Sequence, residues 1–467
     1  MTHISIRTKI KQHLWGPAGS VCFHIIMVLL IVMFMKTVQK EKGPTIEAVI
    51  LKPQTIHMDE LLKQELPKDL DNLDEPLDMS HSENPSHHFD PVDEPIEQPS
   101  NIQSIDWAPV SSVVKMPGPI SHRSNRKSLL DKNARGFGRI TEPAVVRALE
   151  WLQKNQRVDG AWNESQQIGH TGLALLTFLA HGETPGARRY GPCVEKAIKY
   201  LYTHTDEQHR FNIPRKSHAG IYEHCIATYA IAEAYSMTRI PGLRDVMEAN
   251  LQVIVDGQQA GGGWDYQFAD EGRTDTSVMG WAVQALKAGT IARATTPGVH
   301  DALDKAVDAF QHMSKTSTGR FGYTTAGVGD IGMTGVGVLS LQFMGASASR
   351  ELARGLAFLS QVPASFDGVS KHPLYAFYYI TQARFHAGGE IWQAWNPQIA
   401  SLLVKHQQKD GSWLEGDEGE RRGKVYSTTL AALTLQVYYR NLPTNQPVSR
   451  PEVFAEDTEI MISVGDG

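Results

Sequence analysis

The motif Q-x3-G-x-W occurs three times, and its spacing constrains the fold of this chain more than any other feature. The copies are Gln156-Arg-Val-Asp-Gly160-Ala-Trp162, Gln258-Gln-Ala-Gly-Gly262-Gly-Trp264 and Gln407-Gln-Lys-Asp-Gly411-Ser-Trp413. Trp162 to Trp264 is 102 residues and Trp264 to Trp413 is 149, two and three units of about 50. A fixed period of that length marks a repeat architecture. Weaker turns fall where the missing copies should lie: His209-Arg-Phe211, Gly319-Arg-Phe321 and Phe366-Asp-Gly368.

Each unit reads as an outer helix, a Gly/Trp turn and an inner helix. Pro143 to Gln153 carries Val145, Val146, Leu149 and Leu152 on one face, with Thr141 as its expected cap and Pro143 in its first turn. The second helix of each unit is apolar on all sides, as a buried helix is. These segments are Thr171–Ala180, Ile226–Tyr235, Val278–Leu286, Val336–Phe343, Tyr375–Gln382 and Thr428–Tyr438. Six pairs within 141–445 predict an all-α fold, an α/α toroid closed on itself. An open solenoid would need polar caps, whereas the last pair ends in Tyr438, Tyr439 and Leu442. In the motif, Gln is expected to bond backbone groups of two successive helices. Gly supplies a positive φ, and Trp is expected to stack on the following unit.

The remainder of the chain differs. Residues 1–13 form a short N-terminus expected in the cytoplasm. Leu14 to Met35 holds no Lys, Arg, Asp or Glu over 22 residues, long enough for a transmembrane helix. No small-residue cleavage site closes it, so an uncleaved anchor is expected. Residues 36–140 read as a disordered linker. Within it, 53–120 carries 14 acids, 3 Lys and 10 Pro, a net charge of −11 and too little apolar surface to fold. Its end, 121–139, is a basic hinge that is either solvated or in contact with that acidic stretch. Residues 446–467 form an acidic tail. The whole chain has a net charge of −6, which excludes a dominantly basic nucleic-acid binder. Three Cys in 467 residues exclude a disulfide scaffold. Cys193 and Cys225 read equally as a pair or as free thiols.

With those residues in view, 141–445 resembles the QW-repeat toroid of the squalene-hopene cyclase and protein prenyltransferase superfamily. Gly261-Gly-Gly-Trp264 followed by Thr276–Leu286 carries the resemblance, as does Asp410-Gly-Ser-Trp413 followed by Tyr426–Leu433. The resemblance implies the toroid fold, and it implies terpenoid cyclase chemistry only where the acid is present. The chain contains no D-x-D-D. Asp265, Asp270, Glu271 and Asp275 cluster near one repeat at another spacing, either a solvated loop or a non-standard acid. The Asp-x-Cys of the zinc-binding prenyltransferases is absent, as is the thioester Gly-Cys-Gly-Glu-Gln of complement-like toroids. No cofactor and no metal are expected.

Aligning the inner helices on their apolar cores puts their starts around one rim. Glu223, His224, Asp275, His170, His372 and Tyr426 fall there. They are candidates for acid/base work, for ligation, or for capping and carbonyl satisfaction. Tyr375-Ala-Phe-Tyr-Tyr379, Phe385, Trp392 and Trp395 read as cavity aromatics or as core.

Within the apolar N-terminal segment, Ser20-Val-Cys-Phe-His24 resembles the Ser-x3-His signature of the TonB anchor. That resemblance implies that Ser20 and His24, one turn apart on one face, meet ExbB/ExbD-like inner-membrane subunits. The alternative for His24 is an interfacial histidine. The expectation is a single-pass inner-membrane protein with most of its chain in the periplasm. Its toroid would bind an isoprenoid lipid, another envelope ligand or a partner without standard cyclase chemistry. The alternatives are a lipid-acting enzyme with a non-standard acid and a glycan-acting α/α barrel.

Overall fold

The structure, a computed structural model, describes residues 126–440 apart from 164, 215–218, 269–271, 369 and 415; for 267 and 416–422 it describes the backbone alone. Leu14–Met35, Ser20, His24, the acidic linker and the tail lie outside the described residues. Among the described residues, no helix is long and apolar enough to cross a membrane.

Thirteen helices follow one another among the described residues. They are α1 (Arg126–Asn133), α2 (Gly138–Lys154), α3 (Gln167–Ala180), α4 (Gly191–Thr203), α5 (Gly220–Thr238), α6 (Gly242–Asp256), α7 (Thr276–Ala292), α8 (Val299–Met313), α9 (Ile331–Phe343), α10 (Arg350–Ser360), α11 (Pro373–Ala387), α12 (Gly389–His406) and α13 (Gly416–Leu435). The run α13 is broken at Gly423, whose φ of 85° and ψ of 159° are not helical. A single two-residue hairpin among the described residues, β1 (Ser314–Lys315) and β2 (Arg320–Phe321), is antiparallel with Ser314 opposite Phe321. It occupies the turn of the fourth pair.

The odd-numbered helices α3, α5, α7, α9, α11 and α13 form the inner ring. Each packs on the next, and α13 packs on α3, so the ring is closed. They run parallel, because start meets start: Gly169 faces Glu223, and Gly332 faces Ala376. The even-numbered α2 to α12 lie outside. Their sequences explain the division. Helix α3 is buried at every residue from Ile168 to Ala180, whereas the outer α8 buries only Val299, Ala302, Leu303, Ala306, Ala309, Phe310 and Met313, one face.

The motif glutamines staple each pair to the next. Gln156 Nε2 donates to Gly160 O at 3.0 Å and to Cys193 O, in the next outer helix, at 2.9 Å. Gln258 does the same to Gly262 O and Ala302 O. Gln407 donates to Gly411 O and, across the seam, to Ala144 O at 2.8 Å. The glycine is required twice over. Gly262 has φ +81°, and a Cβ there would lie 2.3 Å from the Lys305 carbonyl oxygen. The indole N–H of the motif Trp has a local partner. Trp162, Trp264 and Trp413 donate their indole N–H back to their own outer helices, at Leu152 O, Ile254 O and Leu403 O. A buried indole N–H needs an acceptor, and the last turn of the preceding helix offers free carbonyls.

Other boundaries also shift. Helix α2 begins at Gly138, so Thr141 lies inside it and its hydroxyl donates to Phe137 O at 3.1 Å. Pro143 then sits within the helix, where it leaves only the Arg139 carbonyl without its usual donor. Residues 126–140, grouped with the linker on charge alone, form α1 and the first turn of α2. The α1–α2 connection is bound to the ring's far end: Asn133 Nδ2 donates to Tyr438 O, and Asn396 Nδ2 to Ala134 O. Cys193 and Cys225 are both free and buried.

Candidate functional site

The centre of the ring is filled. Helices α5 and α11 stand on opposite sides of the six-membered inner ring, yet one guanidinium touches both. Arg440 donates to the Tyr229 hydroxyl at 3.1 Å and to the Tyr378 hydroxyl at 2.9 Å, so it lies on the axis. Tyr378 in turn donates to Gln284 Oε1 at 2.7 Å, and Gln284 Nε2 donates to the Tyr379 hydroxyl at 2.9 Å. Trp281 stacks on Tyr378 with ring centroids 5.5 Å apart. All six side chains are buried. Helix α9 lets its neighbour α11 approach closely: a Cβ on its Gly335 would lie 2.9 Å from Ile380 Cγ1 and 3.2 Å from Tyr379 Cβ. The segment Tyr375–Tyr379 therefore plugs the ring rather than lining an open bore.

Above this plug, where the inner helices start, hydroxyls gather round one carboxylate. Asp275 is fully buried. It caps α7, accepting from Ser277 N–H at 2.9 Å, Ser277 Oγ at 2.6 Å and Val278 N–H at 3.2 Å. Ser277 also bonds the Tyr222 hydroxyl at 2.7 Å, Tyr222 reaches Tyr266 at 3.4 Å, and Tyr266 bonds Tyr323. Arg273 lies over the Tyr266 ring and binds both Asp265 and Asp275. The Asp-rich cluster is thus no solvated loop at these two positions. Asp265 and Asp275 are buried because Arg273 and the helix start satisfy them. Asp270 and Glu271 lie outside the described residues.

The remaining sequence candidates divide. Tyr426 and Asp275 both act on Tyr375: burial first, then Tyr379, Tyr426 and Asp275, push its phenol far above the ordinary range. These three come from α7, α11 and α13 and share the mouth. Glu223 caps the neighbouring inner helix, accepting from Gly169 N–H at 3.2 Å. Burial raises its pKa, and the Gly169 and Ile168 amides only partly offset that. His170 bonds Gln166 O at 3.0 Å beside Asn163. His372 is half-buried at the start of α11; its N–H donates to Ser370 Oγ, and Ser370 donates to Asp330, the cap of α9. His224 adjoins Glu223 in sequence but enters the joint between the second and third pairs, where Nε2 meets Asn250 O at 3.0 Å. Among the described residues no group of His, Cys, Asp and Glu has a metal-binding arrangement.

Sequence reasoning missed Arg440, Gln284, Tyr229 and the rim tyrosines Tyr222, Tyr266 and Tyr323. A usable signal existed for part of this set. Gln284 and Gln382 are polar interruptions of otherwise apolar buried helices, and such groups need partners.

No family model matches the chain, and no curated protein matches it. Solved structures give loose likenesses. The GH76A α-1,6-mannanase of Salegentibacter sp. HEL1_6, an inactive variant bound to α-1,6-mannotriose, is 12% identical over 65% of this chain and 100% of its own, with a TM-score of 0.49. The type II terpene cyclase MstE from Scytonema, with its product merosterolic acid A, is 14% identical over 64% of this chain and 96% of its own, with a TM-score of 0.44. A protein from Actinoplanes is 12% identical over 64% and 99%, with a TM-score of 0.41. No chemistry transfers from likenesses at this level.

Proposed function

We propose that this chain is a membrane-anchored, periplasmic α/α toroid that binds an envelope ligand or partner at its inner-helix mouth, without terpene-cyclase chemistry. The supporting observation is the plug: Arg440 bridges Tyr229 and Tyr378 from opposite sides of the ring. A cyclase must enclose a folded polyprenyl chain, and the meeting of Trp281, Tyr378, Tyr379 and Gln284 at mid-height weighs against a deep bore for one. The polar groups at the mouth are largely engaged in capping, which suits a rigid recognition face. In this reading Leu14–Met35 is the anchor, and Ser20 and His24 meet ExbB/ExbD-like inner-membrane subunits, since an ionisable residue in lipid faces a partner or a proton path.

A glycan ligand is the second reading, favoured by the tyrosines of the mouth. Aromatic faces and hydroxyls together suit a sugar, with Glu223, its pKa raised by burial, the candidate acid.

The test is to purify the full chain from its own membranes and identify what accompanies it. Tyr266→Ala is expected to lose the small ligand and keep the membrane subunits, and His24→Leu to do the reverse. Retention of both companions by both variants would defeat the proposal.

A further inference from the structure

The joint between the second and third pairs holds a cleft of about 600 Å³, a volume typical of small-molecule sites. Its walls are the loop before α5, the start of α5, the end of α6 and Phe268. His224 lines it while only 5% exposed. The imidazole meets Phe211 and Phe268 edge-on, with centroids 5.8 and 5.4 Å away. Nε2 lies 3.0 Å from the Asn250 carbonyl. A carbonyl only accepts, so Nε2 carries the hydrogen and Nδ1 keeps a lone pair. That lone pair has no hydrogen-bond partner among the described residues, and the ring that carries it lines the cleft. Burial pushes the pKa of His224 down to about 4, which keeps the ring a neutral acceptor.

The repeat explains how this joint differs from three others. In the first, third and sixth pairs a Trp fills the corner and bonds its own outer helix. Here the smaller Phe211 takes that place. Its N–H is held by Asn250 Oδ1 at 3.0 Å, from the next outer helix. Asn250 therefore fixes both Phe211, through its side chain, and His224, through its carbonyl. The rim sets Arg210 against Asp206 and Asp256, so net charge selects little and the hydrogen-bond donor of a ligand selects more.

We propose that this cleft binds a planar aromatic molecule bearing a ring N–H or O–H, which donates to His224 Nδ1 between the edges of Phe211 and Phe268. The inference is independent of how the mouth is used.

Indole and phenol serve as probes, against 1-methylindole and anisole, which keep the ring and lose the donor. Binding to the full chain in mild detergent is read by calorimetry or saturation-transfer NMR. The donors are expected to bind at least about tenfold more tightly than their methylated partners, the ratio that one lost hydrogen bond of about 1.4 kcal/mol gives. His224→Phe should abolish that preference. Because His224→Phe also removes the bond to Asn250, a second variant guards the test. Phe211→Trp leaves His224 in place, and it should block both donors while thermal unfolding stays cooperative. The proposal is overturned if the methylated probes bind equally, if no probe binds up to its solubility limit, or if folded Phe211→Trp binds as the parent does.

Discussion

Arg440 places a guanidinium between Tyr229 and Tyr378, where it sets much of the chemistry of the ring. Replacing it by Ala would take the guanidinium donor from the Tyr229 and Tyr378 hydroxyls and remove a positive charge that acts on the buried Glu233. Breaking such a buried charged contact costs about 3–5 kcal/mol, so Arg440→Ala should lower the denaturant midpoint by a corresponding amount. An unchanged midpoint would mean that Arg440 does not hold the ring. A second residue-scale prediction concerns the closure seam, where Tyr439 from the end of the ring donates to Glu142 at 3.1 Å. His181 is bonded to Glu183 at 2.8 Å and to Glu142 at 3.1 Å, and Arg126 pairs with Glu142. Burial works to lower the His181 pKa, but those two carboxylates outweigh it and raise it. A raised folded-state pKa stabilises fully below the unfolded value of 6.5 and is lost as pH rises through the folded value. Glu142 has the opposite sign: burial raises its pKa, His181 and Arg126 more than offset that, and the net value is depressed. Its contribution is present above 4.5 and lost as pH falls through the depressed value. The advantage of the parent over His181→Asn should therefore be largest near pH 6 and shrink toward pH 8. A difference flat across that range would show that the seam does not depend on imidazolium.

At the scale of the element, the turn is the informative unit. Gly261 and Gly262 are neighbours with opposite requirements: a Cβ at Gly261 meets nothing within 4 Å, and one at Gly262 meets the Lys305 carbonyl at 2.3 Å with φ at +81°. Gly262→Ala should cost at least about 1–3 kcal/mol for the strained backbone alone, and Gly261→Ala should change stability by less than about 0.5 kcal/mol. Equal effects would refute this account of the motif. Glycine in the motif was legible in the sequence because a tight turn has few chemical solutions. The six inner helices were legible because a helix apolar all round has one place to go. The role of Trp was not legible. A buried indole N–H must find a carbonyl, but only the turn's path decides that it bonds back to Leu152, Ile254 and Leu403. The rim candidates were found by alignment of helix starts. The division of labour between Glu223, a cap, and its neighbour His224, in another joint, depends on the 100° between successive helical residues and on what each direction meets.

At the scale of the whole molecule, closure is the decisive property. Gln407 of the last pair bonds Ala144 of the first, Arg147 bonds Gln407 Oε1 at 2.6 Å, and Gln436 bonds Thr177 O at 3.0 Å. These contacts join residues about 260 apart in sequence, and no local pattern announces them. The period and the number of pairs did predict a ring. The filled axis was not predictable, because Arg440, Tyr229, Tyr378 and Gln284 meet only once the ring has closed. These side chains meeting across the axis favour the proposed binding role over a polyprenyl-enclosing bore. The most direct test is native mass spectrometry of the ring, freed from the gently extracted full chain by cleavage within residues 53–120. The expected result is the bare ring mass, with no polyprenyl-sized molecule retained. One such molecule held per ring, surviving gentle extraction and lost in a variant that fills the mouth, would contradict the plugged axis and restore a lipid-acting cavity.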